Sequence, residues 1–163
     1  MSRYRVSSEP VKVEVWVRDL PGTVQILSDE EAAPFISKEK ADPSVRVEYA
    51  LWQEPAWGVQ QLINENSRRL MSDGRLVFDM QRYTASQVLY LLKGWSLGEQ
   101  DPTLKLTTIV PPGVHPKDGI TVLNDASMSA VRSVRREVVD AFITKGLLAI
   151  YHVAEGAEAI PPG

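Results

Sequence analysis

Between Pro10 and Leu27 the chain specifies a β-hairpin twice, once in its periodicity and once in its turn. Val11, Val13, Val15 and Val17 alternate with Lys12, Glu14, Trp16 and Arg18. Period two with β-branched residues is the pattern of a half-buried strand, because successive side chains leave opposite faces of a sheet. Asp19-Leu20-Pro21-Gly22 follows. Pro-Gly suits the middle of a type II turn, where glycine supplies the positive φ. Thr23 to Leu27 reads as the return strand, with Val24 and Ile26 inward. Ser44 to Trp52 alternates again, Val45, Val47, Tyr49 and Leu51 opposing Arg46, Glu48, Ala50 and Trp52. That pattern predicts a third strand in the same antiparallel sheet.

Helix signals lie between and after these strands. Ser28-Asp29-Glu30-Glu31 has the form of a capping box, and Pro34 limits the helix behind it to a short or kinked one. Lys38 to Pro43 is polar and reads as a loop. Pro55 is placed to start a helix over Trp57 to Met71, where Val59, Leu62, Ile63 and Leu70 keep helical spacing. Ser72-Asp73-Gly74 is a turn, and Arg75 to Asp79 a short strand or extended link. Thr84-x-x-Gln87 is a second capping-box candidate, opening a helix that carries Val88, Leu92 and Trp95 as a stripe and stops near Gly94.

Proline and glycine then dominate from Ser96 to Thr121, a connection long enough to be functional, mobile or partner-bound. Asn124 or Asp125 can cap a last helix with Met128, Val131, Val134, Val138 and Phe142 on one face and Gly146 as its stop. Leu147 to Val153 reads as an apolar strand. These elements predict an α+β fold, a small antiparallel sheet from N-terminal strands packed with three to four helices. One domain is expected over residues 1–153, with an acidic tail over 154–163.

The chemistry-bearing residues are few. With no cysteine, thiolate nucleophiles, disulfides and zinc-thiolate sites are excluded. His115 and His152 lie far apart and outside any HExxH pattern, and the pairs Glu30-Glu31 and Glu99-x-Asp101 suit caps and solvated loops better than acid–base work. No GxGxxG, GxxxxGK[ST] or Gly-x-Ser-x-Gly sequence occurs. The expectation is a protein that is not an enzyme, with no catalytic residue, metal or cofactor. Arg132, Arg135 and Arg136 cluster on the last helix, where Arg136 and Asp140 can pair at i,i+4. A net charge of -3 argues against non-specific nucleic-acid binding. No apolar run approaches a membrane span, and the first residues lack a signal-peptide core, so a soluble, unprocessed protein is expected.

The four tryptophans are the candidate partner-binding residues. Trp16 and Trp52 fall on the nominally polar faces of their strands, where they would form an outward aromatic patch. The alternative is that a helix covers that face and both rings are core. Trp57 in the first turn of its helix, and Trp95 with Leu97 at the head of the Trp95–Leu106 region, complete the set. For Trp95 a place in the core is the better expectation.

Four segments, taken in order, carry a resemblance: VKVEVWVRDLPGTVQILSDEEAAPF, YALWQEPAWGVQQLINENSRR, GWSLGEQDPTLKLT and ITVLNDASMSAVRSVRREVVDAFI. Their succession resembles the tail assembly chaperones and small tail-associated proteins of double-stranded DNA bacteriophages. That resemblance implies a non-enzymatic protein that binds the tape measure protein, keeps its hydrophobic helices soluble and helps tail tube protein polymerise around it. It implies action in the host bacterial cytoplasm, or residence in the virion tail, and leaves a homo-oligomer open. The alternative is a structural component of the phage tail or head–tail junction. The long Ser96–Thr121 connection departs from the family pattern.

Overall fold

The computed structural model describes residues 3–36 and 42–152. The acidic tail, Val153 and most of the Lys38–Pro43 stretch lie outside them. The expected hairpin forms as β1 (Val11–Leu20) and β2 (Thr23–Leu27), with Gly22 at φ 73° in the turn. Strand β3 (Val45–Trp52) pairs antiparallel along β1 from Val11 to Arg18. The first capping box closes as expected: the Glu31 amide donates to the Ser28 hydroxyl at 3.1 Å, and the Ser28 amide to the Glu31 carboxylate at 3.1 Å. Helix α1 (Asp29–Ile36) is correspondingly short.

The middle of the chain differs from its sequence reading. Helix α2 (Trp57–Asn66) ends where the buried Ser67 hydroxyl donates back to the Ile63 carbonyl at 2.6 Å. Arg68–Leu70 is therefore not its last turn but strand β4, hairpinned through Ser72-Asp73-Gly74 to β5 (Leu76–Phe78). Helix α3 runs from Met80 to Leu91, capped by Asp79, whose carboxylate accepts from the amides of Gln81 and Arg82. Thr84 is thus inside the helix and caps nothing; the cap is Asp79, five residues earlier. Gly94 does not end α3 either. The backbone turns extended at Leu92 and becomes β6 (Leu92–Trp95), which completes a sheet of order β2-β1-β3-β6.

The long connection is built, not open. It holds α4 (Leu97–Gln100), 3-10 turns at Pro102–Leu104 and Pro116–Asp118, and a two-stranded ladder of β7 (Thr108–Ile109) with β8 (Val122–Leu123). The Trp95 indole N–H donates to the Leu104 carbonyl at 2.7 Å and ties this segment to the sheet. Asn124 caps α5 (Asp125–Ser133) by accepting from the Ser127 amide. The expected single last helix is two, because Val134 and Arg135 are extended before α6 (Arg136–Ile150). Gly146 is not a stop, and Leu147–Ile150 is not a strand; both belong to α6. Among the described residues this makes six α-helices, more than the three to four expected, on an α+β plan that holds.

Helix α6 packs across β1, β3 and β2. Val13, Val15 and Val17 face it together with Ala50, Trp52 and Trp95, and the Trp95 and Phe142 rings meet at 6.2 Å. On β3 the inner face is Glu48, Ala50 and Trp52, the reverse of the assignment made from alternation. Glu48 is tolerated inside because its carboxylate accepts from Arg46 Nε at 2.9 Å, Ser96 Oγ at 2.5 Å and Gln100 Nε2 at 2.7 Å.

Candidate partner interface

The outward aromatic pair does not exist. Trp52 is 0% exposed on the inner face, packed against Gly146, while Trp16 is half-buried on the other face opposite Val47. Trp95 is core, as expected, and Leu97, two residues on, is half-buried. Trp57 is 80% exposed at the start of α2. The structure therefore disperses the candidate residues and gathers none of them into one patch.

Exposed apolar surface is concentrated elsewhere. In the β4–β5 hairpin, Leu70 is paired with Leu76 and Arg68 with Phe78, so these four side chains share one face. Leu70 is 68% exposed and Leu76 62%. A two-stranded hairpin is marginal in water unless its apolar face is covered. Here Phe78 leans on the buried Tyr83 ring at 5.2 Å, and the two leucines are left to solvent.

Two residues after Phe78, the exposed Met80 lines a groove of about 390 Å³ between α3, α5 and α6. Met80, Thr84, Ala85 and Val88 form one wall at helical spacing, and Met128, Val131, Val139 and Ile143 the others. Arg132 stands on the lip and is its sole charged lining residue. Sequence reading missed this surface because it drew Leu70 into a helix. The signal was present in Arg75-Leu76-Val77-Phe78 behind a Ser-Asp-Gly turn, a hairpin return strand needing a partner just upstream.

The remaining polar groups are held in structural roles. His115 caps a 3-10 turn by accepting from the Lys117 amide, and His152 meets Glu54 at 3.0 Å. Of the three clustered arginines, Arg136 pairs with Asp140 as expected and Arg135 donates to the Gly22 carbonyl. Tyr151, half-buried beside Gln60 of α2 and Gln87 of α3, donates to Gln60 Oε1 at 2.6 Å, and burial raises its phenol above the ordinary range. Among the described residues no cluster of three or more histidines or carboxylates is placed to hold a metal ion. No helix there is long and apolar enough to cross a membrane.

Lys93 is the strongly shifted amine. It lies in a cleft of about 470 Å³ beside Gln53, Glu54 and Tyr90, and its ammonium donates to the Thr121 hydroxyl at 2.8 Å and carbonyl at 3.1 Å. Burial pushes it down from 10.5 to about 8. Between those values the unfolded chain keeps a proton that the folded chain has lost, so this residue makes stability rise with pH across that window. Lys93→Met is expected to remove the rise. Urea midpoints of wild type and variant at about pH 7.5 and about pH 10 should diverge in favour of wild type at the higher value, and a constant difference would refute the assignment.

Comparison with family models, curated proteins and solved structures gives no match for this chain.

Proposed function

We propose that this protein is an assembly factor that works by protein–protein contact, a phage tail assembly chaperone-like protein that holds the tape measure protein while tail tube subunits assemble. The observation that supports the reading is the exposed apolar surface of the β4–β5 hairpin together with the helical groove that Met80 lines. Apolar surface gathered in this way is what a partner-binding site needs, and in a free domain it is a liability. The reading assigns no catalytic step to any residue. It also moves the binding role away from Trp16, Trp52 and Trp95 and onto Leu70, Leu76, Phe78 and Met80. Met80 and Met128 suit a surface that must adapt to a long, varied helical client, because unbranched thioethers repack easily.

Mass spectrometry of infected-cell lysate and of purified mature particles tests the role. The chain should be abundant in lysate and absent from particles; stoichiometric presence in particles would instead make it a tail or head–tail building block. Tape measure protein should be captured from lysate by wild type, and capture should fall at least about tenfold for Leu70→Ser/Leu76→Ser. Both leucines are exposed, so that variant should keep its unfolding free energy within about 0.5 kcal/mol per site. Unchanged capture would remove the hairpin from the interface.

A further inference from the structure

We infer that the groove between α3, α5 and α6 receives an acidic amphipathic helix from another protein. This rests on reading the surface as a partner-binding site and adds the chemistry of the partner. Three features of the groove decide the occupant. Its walls are helices, which satisfy their own backbone groups, so an incoming strand would gain no ladder and would bury unpaired N–H and C=O groups. A helix brings its backbone already paired and needs only an apolar stripe. From Met80 to Val88 the wall spans eight residues, about 12 Å, or two turns of an incoming helix presenting side chains at i, i+3 or i+4, and i+7.

Charge sets the flanks of that helix. No carboxylate lines the groove, and Arg132 on its lip makes no ion pair among the described residues. At the hairpin end, the stretch from Arg68 to Arg82 carries Arg68, Arg69, Arg75 and Arg82 against Asp73 and Asp79. Asp73 pairs with Arg75 at 2.6 Å, and Asp79 pairs with Arg69 at 3.7 Å while also accepting from the amides that open α3, so four arginines against two aspartates leave a surplus of two positive charges. The whole chain is net -3, so this positive border is local to the apolar surface. Acidic residues beside the apolar stripe of a partner would be steered by it, and basic ones repelled.

The test uses two labelled synthetic helices of about 18 residues, long enough to be helical when bound, with the same leucine stripe and either glutamate or lysine elsewhere. Fluorescence anisotropy with the full chain should show the glutamate peptide binding at least about tenfold tighter than the lysine peptide. Ala85→Arg, which places a long side chain on the exposed groove wall, should weaken it at least about tenfold, and Arg132→Glu should cut the preference to about threefold or less. Ala85 and Arg132 are both exposed, and Arg132→Glu gives a readout of its own should Ala85→Arg fold poorly. Equal binding of the two peptides, binding indifferent to both substitutions, or no binding at all would overturn the inference. So would light scattering that shows a dimer broken by Ala85→Arg, since the occupant would then be a second copy. Failure here with tape measure capture intact would retire the helix assignment alone; loss of that capture would retire the assembly reading.

Discussion

Gly146→Ala is expected to destabilise this protein, although helix propensity taken alone says the reverse. Alanine inside a helix is worth about 1 kcal/mol over glycine. At Gly146, however, a Cβ would sit 2.3 Å from the Cε2 and Nε1 atoms of Trp52 and 2.6 Å from its Cδ1. Trp52 is fully buried, so its ring cannot swing into solvent to make room. Overpacking of this kind costs about 1–3 kcal/mol and sometimes more, and contact with a wide, rigid ring belongs at the upper end. The net expectation is a loss of about 2 kcal/mol, seen as a fall of about 4–8 °C in the thermal midpoint of a domain of this size. Gly146→Val should fall further. Trp52→Leu removes the ring atoms that the new Cβ would strike, together with a buried indole N–H that has no hydrogen-bond partner among the described residues. The double variant should therefore recover about 1 kcal/mol or more relative to additivity. A midpoint raised by Gly146→Ala would show that α6 does not approach the sheet this closely.

This contact also explains where the sequence could and could not be read. The β1–β2 hairpin was legible because its apolar residues have one parity and its turn has the residues that its geometry demands. On β3 both parities are apolar, with Val47, Tyr49 and Leu51 against Ala50 and Trp52, so alternation does not choose a face. What chooses is remote: a glycine ninety-four positions later that opens space for the indole, and three donors that let Glu48 go inside. Gly146 read as a helix stop because that is glycine's commonest service near a helix end. Its actual service is close approach, which has no local signature.

The interface was hidden for a different reason. Strands β4 and β5 are three residues each, too short for period two to declare itself, and Leu70 happened to continue the spacing of α2. The helix-to-strand passage at Leu91–Leu92 likewise has no Gly or Pro to mark it; it is fixed by pairing of β6 with β3. The break between α5 and α6 falls at Val134 and Arg135, two residues with no turn chemistry, where the Ser133 hydroxyl bonds back to the Ala130 carbonyl. The groove depends on that break, since it lets α5 and α6 wall the same cavity from two directions.

Glu48→Ala is expected to cost about 2–3 kcal/mol, less than the loss of three charged hydrogen bonds would suggest if each were counted at about 1.5–3 kcal/mol. The discount follows from the partners. Arg46 keeps its ion pair with Asp19, and Gln100 is exposed, so both can re-form bonds without Glu48. Ser96 is buried, and its hydroxyl can turn only to the Tyr49 carbonyl, 3.3 Å away. The vacated inner position opposite Val15 adds a cavity term. Glu48→Gln keeps the volume but points an amide donor at one of three donors, and should lose about half as much. The damage should also be local. The Tyr49 amide donates to Ser96 Oγ at 2.8 Å and the Ser96 amide to the Tyr49 carbonyl at 2.9 Å, so hydrogen exchange at these two positions should accelerate in Glu48→Ala while Val13 to Val17 keep their protection. Uniform loss of protection would mean that the carboxylate holds the whole sheet. An alanine variant as stable as wild type would mean that burying this charge costs as much as its three partners return.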